Sequence, residues 1–219
     1  MKPITERPIF AIVNIIYILL LVNFYFVVAN PLFFYLYLFA PVTLNESLLV
    51  FASAITMGPA FGATFFVMGK LVREGDVSPT KDFWRGYKMN FWVSLKYWAV
   101  QLVVLFIIFF NLTYIFETGE FSTFSWFFIL LFALVFSLNF YAFSILSRFG
   151  VTVKNLWIYT VINLIKKWRL TIFNLTTLLA CYLIYITFPA FTSLFFMSGV
   201  VYFIAFNNKK LLQEMEEAT

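Results

Sequence analysis

Five stretches of this chain contain no Asp, Glu, Lys or Arg: Pro8–Asn45, Ser47–Gly69, Tyr97–Phe116, Phe121–Ser147 and Leu170–Asn208. A helix that crosses a bilayer needs about 20 predominantly apolar residues, and each of these runs reaches or exceeds that length. Runs of this kind would need a water-soluble core larger than 219 residues can enclose. Composition agrees, with 63% hydrophobic and 11% charged residues against about 45–50% and about 25% in soluble domains. The chain reads as an all-α, polytopic integral membrane protein with a single transmembrane domain, 1–219.

The three middle runs are single spans by length. The last divides into two near Thr187-Phe188-Pro189, because a proline disfavours helix at the residue before it. The first run is too long for one straight span and is expected to be a long helix bent or broken near Pro31, followed by an outer loop around Ala40–Glu46. Six spans result, at about 9–39, 47–69, 97–116, 121–147, 170–186 and 190–208. With the N-terminus inside, all 15 Lys and Arg fall on the cytoplasmic side, as the positive-inside rule requires. The outer loops carry Glu46, Glu117 and Glu120. Both termini are therefore expected inside, and all six Trp sit near span ends or in cytoplasmic segments. The first run lacks a small-residue cleavage site, so it is expected to remain as an anchor.

Two cytoplasmic segments have amphipathic patterns. Ser78-Pro79 starts a helix, with Asp82 in its first turn where the helix dipole favours a carboxylate. At 100° per residue, Phe83, Trp84, Tyr87, Phe91 and Leu95 share one face, and Asp82, Arg85 and Lys96 lie opposite; Trp92 breaks the pattern. The second segment sets Trp157, Val161, Leu164, Ile165 and Trp168 against Asn155, Tyr159, Asn163 and Lys166. Such helices lie in the headgroup region or dock a cytoplasmic partner. Lys81, Trp84 and Asn90 recur at one constant offset as Lys154, Trp157 and Asn163, which suggests a duplicated span–amphipathic helix–span unit.

The sequence excludes several chemistries. It has no His and one Cys, Cys181, so His catalysis, His metal sites, thiolate clusters and intrachain disulfides are ruled out. No charged residue lies deep in a span, which argues against a proton-driven pump. The polar residues within spans include Asn14, Asn23, Gln101, Asn111, Asn139, Asn174 and Thr176; bonding to neighbouring helices or backbone is the plain role for them, and lining a substrate path the other. Gly69-Lys70 lacks the remaining positions of a phosphate-binding loop. The expectation is a non-enzymatic protein with no cofactor, no metal, no direct nucleotide binding and no nucleic-acid partner, in contact with membrane lipid.

The most distinctive local sequence is Met57-Gly58-Pro59-Ala60-Phe61-Gly62-Ala63. Gly58 and Gly62 at this spacing allow close helix approach, and Pro59 removes a backbone donor. Gly58, Pro59, Ala60 and Gly62 are thus a candidate packing and kink motif, or a broken helix lining a site. Gly58-Pro59-Ala60, then Lys70-Leu71-Val72-Arg73, Asp82-Phe83-Trp84 and Tyr87-Lys88-x-Asn90-Phe91 resemble the YesL family across roughly residues 10–170. The first apolar run is longer than is usual there, and Tyr87 stands where Phe is expected. The resemblance implies a small membrane protein of Gram-positive bacteria, located in the plasma membrane. Genes of that family commonly neighbour carbohydrate ABC importers. It carries no catalytic residue over and implies an accessory subunit associated with the permease subunits of an oligosaccharide importer. The alternative is a small transporter or substrate-binding membrane component acting through its own pocket. Asp82, Phe83, Trp84, Arg85, Lys88, Asn90 and Phe91 form the candidate partner or interface segment.

Overall fold

The first apolar run is divided at Pro31. In the computed structural model, which describes residues 8–39, 44–118 and 123–217, α1 runs Pro8–Val28 and α2 runs Pro31–Phe39, with an 82° bend between them. Pro31 has no N–H to continue the helix, and Asn30 before it is steered away from helical geometry. The buried Asn30 side chain closes the corner: its amide donates to the Phe26 carbonyl at 2.7 Å, and the Thr56 hydroxyl donates to its Oδ1 at 2.8 Å. The stretch expected as one span over 9–39 is therefore a 21-residue helix and a 9-residue helix that turns off it.

Helix α3 (Leu44–Ser53), a single 3-10 turn (Ala54–Thr56) and α4 (Met57–Glu74) follow. Gly75, at φ 78°, ends α4, and its N–H reaches the Leu71 carbonyl at 2.9 Å. Only glycine takes that left-handed geometry without strain. Helix α5 then runs unbroken from Pro79 to Thr118. Its 40 residues reach about 60 Å, twice the hydrocarbon thickness of a bilayer. The amphipathic segment after Ser78 and the third expected span are thus one rigid rod. Next come α6 (Thr123–Leu146), α7 (Val153–Lys166), α8 (Trp168–Thr187), α9 (Pro189–Thr192), α10 (Phe196–Asn207) and α11 (Lys209–Glu217). Helix α4 is the hub, packing on α1, α5, α6 and α10.

By length and composition, four helical stretches can cross a membrane: Leu48–Glu74, Pro79–Glu117, Ser125–Leu146 and Trp168–Thr187; the bent α1–α2 pair makes a fifth if taken as one span. The region expected as the sixth span, 190–208, contains α9 and the 12-residue α10. Helix α10 rises only about 18 Å, short of the core thickness. Most of the expected outer loop Ala40–Glu46 and of the loop after Thr118 lies outside the described residues, as does the N-terminal segment 1–7.

The two segments that carry the recurring Lys, Trp and Asn share burial but differ in continuity. Asn90 and Asn163 are both buried, Trp84 and Trp157 both half-buried, Lys81 and Lys154 both exposed. Where α5 is continuous, the second copy breaks at Lys167 between α7 and α8. In α7 the expected faces are redistributed: Leu156, Thr160 and Asn163 point inward, while Val161, Ile165 and Trp168 are exposed. An interfacial helix turns apolar side chains towards lipid as readily as towards protein.

Helix α11 is held by Leu211 and Leu212, both buried, and by two ion pairs. Lys167 meets Glu214 at 2.7 Å, and Arg148 pairs with Glu216. The Lys167 ammonium holds the Glu214 carboxyl below its ordinary range.

Candidate functional site

The Gly58 motif lies where α4 and α5 approach most closely. A Cβ on Gly58 would stand 2.5 Å from the Cβ of Trp98 and 2.9 Å from the Ser94 carbonyl oxygen. The same Trp98 reaches past Gly58, its indole N–H donating to the Ala54 carbonyl at 2.8 Å. Gly62, one turn on, would meet Ser94 Cβ at 3.4 Å, an ordinary contact. Ala60 faces the core at 0% exposure. Pro59 sits in the first turn of α4, where its missing N–H is least costly. In place of a sharp kink, the backbone tightens into the 3-10 turn Ala54–Thr56 just before it. A second close approach lies towards the other end of the same helix pair: a Cβ on Gly86 would come within 2.8 Å of Phe66 Cβ.

The stretch of α5 from Pro79 to Lys96 presents two unlike faces. Inward, Phe83 is fully buried and its ring packs against Tyr25 of α1; Trp84 also meets Tyr25, and Phe91 lies against Tyr87. Asp82, expected on the outward polar face, is 5% exposed. Its Oδ2 accepts from Lys70 Nζ at 2.8 Å and from the Ser78 backbone N–H at 3.0 Å. Asn90 is buried and donates to the Leu146 carbonyl of α6 at 3.1 Å. Asp82, Phe83 and Asn90 therefore bind the chain to itself. Outward, Lys81, Arg85, Lys88, Met89, Trp92 and Lys96 are exposed. Trp92, which broke the apolar pattern, belongs to this outer stripe.

Most of the polar residues within the helices bond to backbone or to one another. Gln101 donates to the Val135 carbonyl, Asn111 to Ile107, Thr176 to Phe173 and Asn139 to Phe136. Asn174, Asn207 and Asn208 form a network that ends on Ser144 and the Phe140 carbonyl. Asn23 of α1 caps another helix: its amide donates to the Ser193 carbonyl at 3.1 Å, and its Oδ1 accepts from the Met197 N–H at 3.1 Å. It thereby satisfies orphan donors at the start of α10.

A cavity of about 480 Å³ lies among α1, α2, α4, α5, α6, α8 and α10, within the size range of small-molecule sites. Phe61, Phe65, Phe140, Phe143 and Ile204 line one end. Asn23, Tyr37, Tyr182, Tyr185 and Ser193 are polar residues of the wall, as is Asn139, which lies on α6 beside the rings.

The family model described as "Protein of unknown function, DUF624" matches residues 10–112. Over that stretch, just under half of the chain, the sequence is similar to the DUF624 family. That family includes the YesL-like membrane proteins. No curated protein and no solved structure matches the chain.

The DUF624 stretch holds the whole α4–α5 seam and every residue of the motifs on which the YesL resemblance rests, although that resemblance extends further along the chain. It also contains Lys70, Gly86 and Trp98, whose pairing with Asp82, Phe66 and Ala54 the sequence alone did not indicate. Gly86 alone had a local signal, a glycine within an otherwise helical pattern. The cavity joins helices from the DUF624 stretch to α6, α8 and α10 beyond it.

Proposed function

We propose that this chain is a non-enzymatic accessory subunit of a carbohydrate ABC importer in the bacterial plasma membrane, with six spans and both termini in the cytoplasm. The observation that carries the reading is the outer stripe of α5. Lys81, Arg85, Lys88, Trp92 and Lys96 fall within about 80° of one another at 3.6 residues per turn. All five are exposed, and among the described residues no carboxylate pairs with the four cations. A rigid helix presenting unpaired cations around a Trp suits a permease surface of opposite charge. The resemblance to the YesL family supplies the sugar importer.

Arg85 separates protein docking from lipid contact. Near an anionic bilayer each Lys or Arg is worth about 1 kcal/mol, so exchanging one for the other changes little. At a protein surface, Arg makes planar paired contacts that Lys cannot copy. Pull-down of the permease by Arg85→Lys and by Arg85→Ala/Lys88→Ala, normalised to inserted protein, is expected to fall about fivefold or more. Wild-type recovery by both variants would exclude the stripe as the docking face.

Orientation is checked by labelling from outside on a Cys181→Ser background. Glu117→Cys is expected to react, and Asp76→Cys and Asn155→Cys to stay protected until the membrane is opened. External labelling at Asp76→Cys would invert the arrangement.

The second reading, a small transporter or substrate-binding membrane component acting through its own pocket, has the cavity in its favour. Its rings and aliphatic walls suit hydrocarbon better than sugar, whose hydroxyls each need a hydrogen-bond partner.

A further inference from the structure

We propose that the cavity is a binding site for one bilayer lipid, whose hydrocarbon chain fills the aromatic end and whose ester or hydroxyl oxygens meet the tyrosines at the other end. The argument starts from polarity along the cavity. Tyr185 packs on Phe196, the first residue of α10, with ring centroids 5.0 Å apart, and Asn23 is bonded to Ser193 and Met197. Asn23, Tyr185 and Ser193 are thus gathered at the N-terminal end of α10, while Asn139, whose buried Oδ1 has no hydrogen-bond partner among the described residues, adds one polar atom to the wall among the rings of α6. From Phe196 the wall continues along α10 through Val200 to Ile204, about 12 Å at 1.5 Å per residue. Over that length rings and aliphatic groups dominate it. The site is therefore more polar at the N-terminal end of α10 and mostly apolar beyond it, as a chain with a polar head requires.

Walls made mostly of rings and aliphatic groups hold water poorly, and close-packed interiors do not leave such volumes to vacuum. At membrane depth the abundant apolar species is the lipid chain.

The polar end also has an entrance. Tyr37 and Tyr182 are 62% and 50% exposed, so each lies both on the cavity wall and on the outer surface. Their helices pack on different neighbours: α2 on α1 and α3, α8 on α6, α7, α9 and α10. Along α8 only Asn174 is buried. A lipid can enter sideways between α2 and α8 without crossing packed core. The hydroxyls of Tyr37, Tyr182 and Tyr185 have no hydrogen-bond partner among the described residues and are donors for carbonyl, ether or hydroxyl oxygens of the head.

The test is native mass spectrometry of the full chain purified from its own membranes in mild detergent, with the bound molecule extracted and identified. One lipid per chain is expected to survive purification. Val200→Trp, which projects a ring into the cavity, should lower that occupancy about tenfold or more. Met197→Trp is a second filling variant at a less buried position, used if Val200→Trp does not fold. Tyr182→Phe/Tyr185→Phe, which keeps the rings and removes the hydroxyls, should lower occupancy severalfold. Folding of each variant is verified by its thermal transition. Recovery of no lipid, of detergent only, or of an apolar molecule that is not a membrane lipid overturns the proposal. So does wild-type lipid occupancy in a folded filling variant. Permease pull-down is independent of these outcomes, so failure here leaves the docking stripe standing, and the reverse.

Discussion

Gly58→Leu is expected to reduce the yield of folded protein to roughly a tenth of wild type or less. Overpacking a core costs about 1–3 kcal/mol where neighbouring side chains can move aside. At Gly58 the first obstacles are the Cβ of Trp98 and the carbonyl oxygen of Ser94, which move only with the α5 backbone. Helices α4 and α5 must then part along the seam that anchors the bundle. Gly58→Ala already places an atom there and should show a smaller loss in the same direction. Gly86→Ala tests the other close approach, against Phe66. Gly199→Ala is the control: nothing lies within 4 Å of its added methyl, and exchanging Gly for Ala inside a helix favours the fold by about 1 kcal/mol. Pro59→Ala should be milder, because it adds a donor in the first turn of α4 and forces no overlap with a neighbouring helix. The measurement is monodisperse yield and melting temperature in one detergent; wild-type values for Gly58→Leu would show that the seam opens freely.

Asp82→Asn has the second large expected effect, again on stability. Removing one partner of a buried ion pair leaves the other charge uncompensated and costs about 3–5 kcal/mol. The Lys70 side chain is 25% exposed, so water recovers part of that, and about 2–3 kcal/mol is expected. Asp82 also holds the Ser78 N–H, so the α4–α5 turn should become easier to cleave by protease. The double variant Lys70→Met/Asp82→Leu should recover much of the loss, because replacing a buried pair by apolar residues is often neutral. A wild-type melting temperature for Asp82→Asn, accompanied by weakened permease association, would return Asp82 to the docking face.

The Asp82 case shows where helical periodicity misleads. At 100° per residue Asp82 lies opposite Phe83 and Trp84 and reads as solvent-facing. The face is polar, but Lys70 of α4 packs over it, and periodicity within one helix carries no information on what another helix presents. The reverse holds in α7. Its two faces read as apolar and polar, yet Asn163 of the polar face is buried and gives its amide to the Tyr159 carbonyl, while Ile165 of the apolar face is 69% exposed. In a membrane protein both protein and lipid accept an apolar side chain, so hydrophobicity cannot say which of the two it meets. The cavity was illegible for a related reason: its walls come from seven helices, and no single segment signals the space left between them.

What the sequence by itself determined is set by composition and local backbone chemistry. Charge-free runs dictate apolar helices, because unpaired backbone groups are too costly in hydrocarbon. Pro31 and Pro189 end helices because they lack a donor, Pro79 and Ser78 begin one, and the spacing of Gly58 and Gly62 marks a close packing face. Only the tertiary structure decided that α5 continues without a break through the expected boundary at Tyr97, that α10 is too short to cross alone, and that Trp98 rather than a smaller residue fills the notch at Gly58. It also decided that Asn23 of α1 caps α10, near the far end of the chain. These depend on contacts between distant segments, whose energies are set by the shapes and hydrogen-bonding groups that meet when the helices pack, and no local pattern encodes which surfaces will meet.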